Sequence, residues 1–309
     1  MNKNSLIYVA GHTGLVGSAI LRRLKARGYK NLITKIHREL DLTEKKKVEG
    51  FFTKERPEYV FLAAARVGGI HANSTYPAEF IYENLMIQTN VIDLSYKYGV
   101  KKLLFLGSSC IYPKMSPQPM REEYILSGYI EPTNEPFAVA KISGIKMCEA
   151  YNRQYGTNFI SIIPANVYGI NDHFDEEGHV VAGMIRRFHE AKTNGYDTVT
   201  IWGTGRPKRE FLYADDLADA CIFLMDKYDR NEIINVGTGC STSIAELSEV
   251  VKETVGFKGK IRYDTTRPDG NLERLLDTSK ITALGWRPEM PLKKGLRITY
   301  EWYKKHIRH

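Results

Sequence analysis

Hydroxyl and thiol side chains directly follow an apolar run in the first half of this chain. The run at 102–107 reads Lys-Leu-Leu-Phe-Leu-Gly and predicts a buried strand, and Ser108, Ser109 and Cys110 come immediately after it. A serine hydroxyl donates and accepts hydrogen bonds, while a cysteine acts as a base only as its thiolate. These residue types at the end of a buried strand are the first candidates for a chemical site.

A predicted helix supplies the second part of this site. Pro136 suits the first helical position, where its missing N–H costs nothing, so a helix is expected from there to about Tyr155. Phe137 and Lys141 then lie one turn apart on the same face. A lysine on a helix is usually exposed to solvent, and that alternative stays open for Lys141.

Strands and helices alternate along the first half of the chain, and these elements must position the candidate groups. The alternation predicts right-handed crossovers and a parallel sheet covered on both faces, which is a doubly wound α/β (Rossmann) fold. Ligands of such sheets lie at the carboxyl ends of the strands. The predicted strands are 5–10, 31–34, 59–62, 102–106 and 158–163, and the predicted helices are 18–27, 43–53, 77–98 and 136–155.

The pattern loosens after residue 169, where we expect a smaller, interleaved α/β substrate lobe. Strands are expected at 198–202 and 233–236, and helices at 180–194, 215–227, 243–254 and 292–306. The predicted division gives residues 1–168 and 211–240 to a dinucleotide-binding domain, and residues 169–210 and 241–309 to the substrate lobe.

The segment 11–17, Gly-His-Thr-Gly-Leu-Val-Gly, joins the first strand to the first helix. Glycines here let the backbone turn tightly and approach a pyrophosphate, with the helix N-terminus facing the phosphates. A purely structural turn is the alternative, but the position between a strand and a helix favours a dinucleotide. The residues predicted to hold it are Gly11, Thr13, Gly14, Leu15, Val16 and Gly17.

The loop after the second strand is basic where an NAD-binding site would carry an acidic residue. Lys35, His37 and Arg38 suit the 2′-phosphate of NADP(H), so this cofactor is preferred over NAD(H). A solvated basic turn is the alternative, because acidic residues lie close by. Asp41 and Leu42 are expected to flank the adenine.

The composition is that of an ordinary globular protein, with 309 residues, 43% of them hydrophobic, and a net charge of +8. Lys and Arg are spread along the chain, which argues against nucleic acid as a partner and favours an anionic small ligand. No apolar run approaches the ~20 residues of a membrane span and no signal peptide is evident, so a cytoplasmic location is expected. The four cysteines lack metal-ligand spacing, and no metal site is predicted.

Motifs along nearly the whole chain are together far more specific than any one of them. The chain resembles the extended short-chain dehydrogenase/reductase superfamily and, within it, the GDP-L-fucose synthase family, which epimerises a GDP-linked 4-keto sugar and reduces it with NADPH. The motifs are the glycine loop, Ala-Ala-Ala-Arg-Val-Gly-Gly-Ile at 63–70, Leu-Gly-Ser-Ser-Cys-Ile-Tyr-Pro at 106–113, Glu-Pro-Thr-Asn-Glu-Pro at 131–136, Gly-His-Val at 178–180, Trp-Gly-Thr-Gly at 202–205 and Arg-Glu-Phe-Leu-Tyr-Ala-Asp-Asp at 209–216.

The resemblance implies roles for the first candidates. In the family a serine hydrogen-bonds the keto oxygen, a tyrosine gives it a proton, and a lysine holds the ribose and lowers the pKa of the tyrosine. Ser108 and Lys141 match the serine and the lysine, whereas Phe137 stands where the family has the tyrosine. An unperturbed phenol has a pKa near ~10, so it needs a neighbouring ammonium to exchange protons near neutrality.

Epimerisation beside a ketone needs a base on one face of the sugar and an acid on the other. The resemblance places these roles on Cys110 and His179, and the imidazolium of His179 would supply the positive charge that a thiolate requires. The alternatives are a buried packing cysteine and a loop histidine without a chemical role.

The resemblance also implies the remaining ligand contacts, with Arg209 suited to a phosphate and Trp202 to the base or sugar. The predicted substrate residues are Ser109, Arg187, Trp202, Arg209 and Asp269. The further predicted cofactor residues are Ala63, Ala64, Ala65, Leu106, Gly107, Lys141, Pro164, Asn166, Val167 and His179.

The expected function is NADPH-dependent reduction of a GDP-4-keto-6-deoxy sugar with 3,5-epimerisation, by a homodimer joined through long helices and impaired by Phe137. One alternative is reduction without epimerisation, on another GDP-linked sugar such as a GDP-6-deoxy-4-keto-heptose. Another is a catalytically silent protein that binds a nucleotide sugar. Phe137 is either natural or a laboratory replacement of tyrosine that traps the bound state.

Overall fold

The computed structural model describes residues 1–175, 178–267 and 269–306. The strands are β1 (Ile7–Ala10), β2 (Leu32–Ile33), β3 (Tyr59–Leu62), β4 (Lys102–Leu106), β5 (Phe159–Pro164), β6 (Asn166–Tyr168), β7 (Thr198–Trp202), β8 (Lys208–Tyr213), β9 (Ile234–Val236), β10 (Ser241–Ser243), β11 (Lys260–Asp264) and β12 (Glu273–Arg274). The helices are α1 (Leu15–Ala26), α2 (Lys45–Glu55), α3 (Ile70–Thr75), α4 (Pro77–Lys97), α5 (Glu135–Tyr155), α6 (Val180–Thr193), α7 (Ala214–Lys227), α8 (Ile244–Val255), α9 (Ser279–Ala283) and α10 (Leu292–His306).

A parallel sheet in the order β2-β1-β3-β4-β5-β9 forms the larger half of the molecule. Strand β1 pairs with β2 on one side and with β3 on the other, so successive strands are added in opposite directions from β1. Helix α1 lies against α7, and α4 lies against α2 and α5. This arrangement confirms the predicted doubly wound α/β fold, and it places the crevice for a ligand between the carboxyl ends of β1 and β3.

A second, smaller set of strands carries the other half. Strand β8 pairs with β6, β10 and β12, and β7 pairs with β11. A separate hydrophobic core lies here, built around side chains such as Phe188, Leu247 and Tyr303. Leu276 and Trp286 pack instead into the core of the large sheet. The division of the chain into the two predicted domains stays a prediction.

Every strand and helix that the sequence predicts is present, and the elements that it did not predict are mostly short. The bounds of β3, β4, β7 and α10 agree with the sequence-based expectation to the residue. The elements that were not predicted, β6, β8, β10, β11, β12, α3 and α9, are mostly too short to show a period in the sequence. In the described part of the chain, no helix combines the length and the apolar character that crossing a membrane requires.

Candidate active site

Lys141 lies inside the protein, at the carboxyl end of β4. Its Nζ donates a hydrogen bond of 2.9 Å to the carbonyl of Leu106 and lies 5.6 Å from the centre of the Phe137 ring. The residue is only 4% exposed, so the alternative of a surface lysine is wrong. Burial lowers the pKa of Lys141 to about 8, an effect that the nearby Cys110 opposes. An ammonium with this pKa gives up and regains a proton near neutral pH.

Helix α5 is held firmly, so Lys141 and Phe137 have fixed positions. The Gln88 side chain of α4 donates to the Ala140 carbonyl at 2.5 Å. The Phe137 ring meets Phe80 edge-on, with 6.3 Å between ring centres. Since a phenyl ring has no polar atom, this position keeps the shape of an aromatic residue beside Lys141 but offers no proton.

A short 3₁₀ turn, Ser109–Ile111, presents Cys110 beyond the end of β4. Ser108 caps this turn, because its Oγ accepts from the Cys110 N–H at 3.4 Å. Burial raises the pKa of the Cys110 thiol, while the Ser108 hydroxyl, the Arg274 guanidinium and the Lys141 ammonium act to lower it. The two cations that act on the thiol here are Arg274 and Lys141. The expectation that the imidazolium of His179 adds to this charge stays a prediction.

Arg274 was not a candidate from the sequence. It lies on β12, and its Nη2 donates to the carbonyl of Ser109 at 2.7 Å and to that of Tyr112 at 3.4 Å. A strand of two residues has no period, and Arg274 is 165 positions away from Ser109 in sequence. No local pattern could have joined them.

His179 stands at the N-terminal end of α6 and is paired with a carboxylate. Its Nδ1 lies 3.4 Å from Oδ1 of Asp172, which is buried, and the other carboxylate oxygen of Asp172 has no hydrogen-bond partner among the described residues. The contact with Asp172 raises the pKa of His179, although burial opposes it. His179 also lines a cavity of about 190 Å³ together with Val67, Gly68 and His173. The imidazole therefore keeps its proton to a higher pH than an unperturbed histidine does.

The glycine loop fits a dinucleotide. Gly11 has a φ of +82°, and a Cβ there would lie 2.6 Å from the backbone nitrogen of Ala64 at the end of β3. A Cβ on Gly17 would lie 2.1 Å from the Gly11 carbonyl oxygen. Helix α1 has neither a side-chain cap nor an acidic residue in its first turn, which lies wholly within the described residues. Its first N–H groups are therefore available to an anion at the β1/β3 crevice.

The basic loop after β2 keeps its cationic groups towards solvent. Arg38 and His37 are exposed and Lys35 is half-buried. The Glu39 carboxylate accepts from the N–H of Ile36, in the same loop, at 3.0 Å. His37 lies 3.8 Å from Asp41. The nearest acidic groups thus satisfy the loop itself, and Arg38 and Lys35 suit a phosphate from outside.

Three of the predicted substrate residues, Arg209, Arg187 and Trp202, lie in the second half of the molecule. Arg209 of β8 uses Nη1 to donate to the carbonyls of Lys208 and Asn271, each at 2.8 Å. Arg187 donates to Gly183 and Thr200 carbonyls. Trp202 is 64% exposed, with the Arg267 guanidinium 5.2 Å from its ring centre. Charged and aromatic surfaces of this kind suit a nucleoside diphosphate.

Asp269 makes a different contact from its neighbours. One of its carboxylate oxygens accepts from the Thr204 N–H at 2.6 Å and the other from the Thr204 hydroxyl at 2.7 Å. These bonds lower the pKa of Asp269. In this structure Asp269 therefore fixes the loop that carries Trp202, and a direct contact of Asp269 with substrate stays a prediction.

The remaining predicted residues follow the strand ends of the large sheet. Asn166 donates its side-chain amide to the carbonyl of Glu210 at 3.0 Å, so it links β6 to β8. Gly107 and Leu106 close β4, and Gly107 leaves no space for a Cβ beside Ile163. The others lie in the glycine loop, in the first turn of α1, after β2 and β3, or in β5 and β6: Thr13, Gly14, Leu15, Val16, Leu42, Ala63, Ala65, Pro164 and Val167.

Known proteins resemble this chain over its whole length. A putative GDP-L-fucose synthase 2 of Arabidopsis thaliana is 58% identical over 308 residues, which are 99% of this chain and 94% of that protein. A GDP-6-OMe-4-keto-L-xylo-heptose reductase from C. jejuni has a structure with a TM-score of 0.95 and 42% identity, covering 99% of both chains. A GDP-mannoheptose C4 reductase from Campylobacter jejuni with NADP bound has a TM-score of 0.91 and 44% identity, covering 98% of this chain and 99% of that one.

A family profile matches as well, from the first strand of the sheet to its last. Residues 7–237 match the NAD dependent epimerase/dehydratase family. This range contains the glycine loop, the Ser108–Cys110 segment, Lys141 and His179. The chain therefore belongs to the NAD dependent epimerase/dehydratase family, in the group that includes the GDP-L-fucose synthases.

Proposed function

We propose that this protein is an NADPH-dependent reductase of a GDP-linked 4-keto-6-deoxy sugar that also epimerises the sugar at the two carbons beside the ketone. The observation that carries the proposal is the meeting of Ser108, Cys110 and Lys141 at the carboxyl end of β4, in the same sheet as the glycine loop. A relative named as a putative GDP-L-fucose synthase and a structural neighbour named as a reductase of a GDP-linked 4-keto heptose support the choice of substrate.

The cofactor site is divided between two parts of the chain. The glycine loop and the first turn of α1 would hold the diphosphate, Arg38 and Lys35 would hold the 2′-phosphate, and Lys141 would hold the nicotinamide ribose. When bound, NADPH supplies the hydride that reduces the keto carbon. The neighbour from Campylobacter jejuni with NADP bound supports this choice of cofactor.

In the reduction step, this chain would have to orient the keto oxygen and deliver a proton to it. Ser108 Oγ lies close enough to the turn to cap it and would hydrogen-bond the oxygen. Lys141, with its pKa lowered to about 8, would feed protons to a donor between itself and the sugar. That donor is missing at Phe137, so the reduction would be slow while binding is retained.

In the epimerisation step, Cys110 would remove a proton from the carbon beside the ketone and His179 would return one from the other face. Ser108 would stabilise the oxygen of the enolate that forms between the two transfers. The raised pKa of His179 keeps it protonated over a wider pH range, which suits the acid. None of these groups depends on Phe137.

Reduction without epimerisation is the second candidate. Burial raises the pKa of the Cys110 thiol, which favours the neutral thiol over the base. The structural neighbours named as heptose C4 reductases support this alternative. The two functions differ in one observable, the exchange of carbon-bound hydrogen with solvent.

The deciding experiment uses the protein as it stands. With GDP-4-keto-6-deoxymannose in heavy water and no NADPH, epimerisation places deuterium on both carbons beside the ketone, which mass spectrometry and NMR detect. The Phe137→Tyr variant with NADPH should then release GDP-L-fucose. Reduction without deuterium uptake would establish the second candidate, and binding without either reaction in both proteins would reduce the protein to a nucleotide-sugar binder.

We also propose that the protein acts as a homodimer through α4 and α5. These helices lie against each other and carry exposed apolar side chains, namely Tyr82 (62% exposed), Val139 (38%) and Tyr155 (46%). Apolar groups along two adjacent helices suit a second copy of the same surface. Light scattering should give twice the mass of the chain, and Val139→Arg should shift the protein towards the monomer.

A further inference from the structure

Arg274 is a half-buried cation whose acceptors are main-chain carbonyls. It donates to Ser109 and Tyr112, the residues at the start and just after the end of the turn that contains Cys110. One guanidinium thereby spans the turn on which the proposed base sits. Burial lowers the pKa of Arg274, and Cys110 is first among the acidic groups that oppose this effect, followed by Glu131 and Tyr112.

The strand under Arg274 is fixed from several sides. In β12 and β8, Arg274 is in register with Arg209, and the carboxylate of Glu273 accepts from the Ser241 hydroxyl at 2.8 Å. The N–H of Leu276 donates to the buried Glu210 carboxylate at 3.0 Å. Arg274 therefore reaches from the sheet of the second half to the reactive turn of the first half, and its backbone is not free to follow the turn.

We propose that Arg274 is a positioning residue that holds the 109–112 turn and stabilises the thiolate of Cys110. This inference rests on the proposed epimerisation, in which that thiolate is the base. A buried thiolate requires a positive charge near it. The groups that face Cys110 are Arg274 from β12, Lys141 from α5 and the Ser108 hydroxyl. Lys141 loses charge as the pH rises through about 8, whereas a guanidinium stays charged, so Arg274 is the lasting cation.

The test measures the thiol itself and needs no substrate. The rate of Cys110 alkylation by iodoacetamide is followed against pH by peptide mass spectrometry, in a Cys240→Ser background because Cys240 is exposed. Arg274→Gln should raise the pH midpoint by about one unit or more and slow alkylation at pH 7.5 about tenfold. Arg262→Gln, which removes an exposed arginine from β11, is the matched control and should leave the profile unchanged.

Arg274→Lys separates charge from shape. It keeps a cation but loses the planar guanidinium whose Nη2 bonds both carbonyls, so the alkylation profile should stay close to that of the parent. The same profile in Arg274→Gln as in the parent would overturn the proposal. If Arg274→Gln does not fold, an Arg274→Lys profile displaced by a unit or more would overturn it instead.

The substrate reaction then distinguishes this inference from the proposed function. If the protein epimerises, deuterium uptake by Arg274→Gln should fall about tenfold at neutral pH and recover as the pH rises. If the alkylation profile is displaced but the parent protein takes up no deuterium, Arg274 stabilises the thiolate and the proposed epimerisation is wrong. If the profile is not displaced but the parent protein takes up deuterium, the epimerisation stands and the role of Arg274 is wrong.

Discussion

The candidate site has two sides, helix α5 and the segments that carry Cys110 and His179, and they differ in the reactive groups that they offer. On the side of α5, Lys141 is buried, has its pKa lowered to about 8 and faces an aromatic ring that carries no proton. On the side of the turn and the loop before α6, Cys110 and His179 both keep their reactive atoms and each has a charged neighbour, Arg274 or Asp172. Under the proposed function, the α5 side lacks a proton donor for the reduction, whereas the other side keeps both groups assigned to the epimerisation.

Under the proposed function, this difference separates the groups of the reduction from those of the epimerisation. The Phe137 ring packs edge-on against Phe80, and the Gln88 side chain hydrogen-bonds the backbone of α5. An aromatic ring is therefore well packed at this position. Burying an ammonium such as that of Lys141 is costly. A phenol beside it, at the position of Phe137, would gain from its charge, and the first prediction below tests this interpretation.

The largest effect is expected from Phe137→Tyr. A phenol beside Lys141 restores the proton donor, and a positioned acid contributes on the order of 10² to 10⁴ in rate. Oxidation of NADPH that depends on the keto sugar should rise at least about a hundredfold, with little change in cofactor affinity. A parent protein that already turns over at about 1 per second or faster would show that another group gives the proton.

The next largest effect is expected at Cys110, on the other side of the site. Cys110→Ser should reduce deuterium uptake from heavy water by about a hundredfold or more, since a serine hydroxyl is hardly ionised near neutrality whereas a cysteine can form its thiolate. Cofactor binding should be unchanged. Cys240→Ser, an exposed thiol outside the turn, is the control. Exchange at the parent rate in Cys110→Ser would remove Cys110 from the mechanism.

The comparison also separates what the sequence can predict from what it cannot. Strand β4 is a continuous apolar run, and helix α5 is long and has a proline near its start. The bounds of both and the shared face of Phe137 and Lys141 were therefore predictable. The burial of Lys141 was not, because it depends on the packing of α5 on the sheet. The positive charge that Arg274 adds beside Cys110 was not predictable either, since β12 is too short to detect and joins the turn only in three dimensions.

A smaller effect is expected at the cofactor end. Arg38→Ala should weaken NADPH binding about tenfold and leave NADH nearly unchanged, because only the 2′-phosphate requires the guanidinium. Titration of both cofactors measures it. Lys30→Ala, an exposed cation just before β2, serves as the control. Equal affinities of the parent protein for NADPH and NADH would contradict the assignment of this loop.

The smallest effect is expected at Asp172, whose carboxylate raises the pKa of His179. Asp172→Asn keeps the size of the side chain and can keep the bond from the His173 N–H, but it removes the charge. His179 then loses its proton at a lower pH than in the parent. Below the pKa of both forms the imidazole is protonated in either protein, so deuterium uptake there should be nearly equal.

The difference between the two proteins should therefore appear only as the pH rises. Around neutrality the Asp172→Asn variant should exchange about fivefold more slowly, because its acid is deprotonated first. Asp197→Asn makes the same charge change at an exposed position just before β7, outside the cavity that His179 lines, and should leave the profile in place. A profile of Asp172→Asn that coincides with the parent would mean that the protonation of His179 does not limit exchange, and the acid would have to be sought on the Lys141 side of the site.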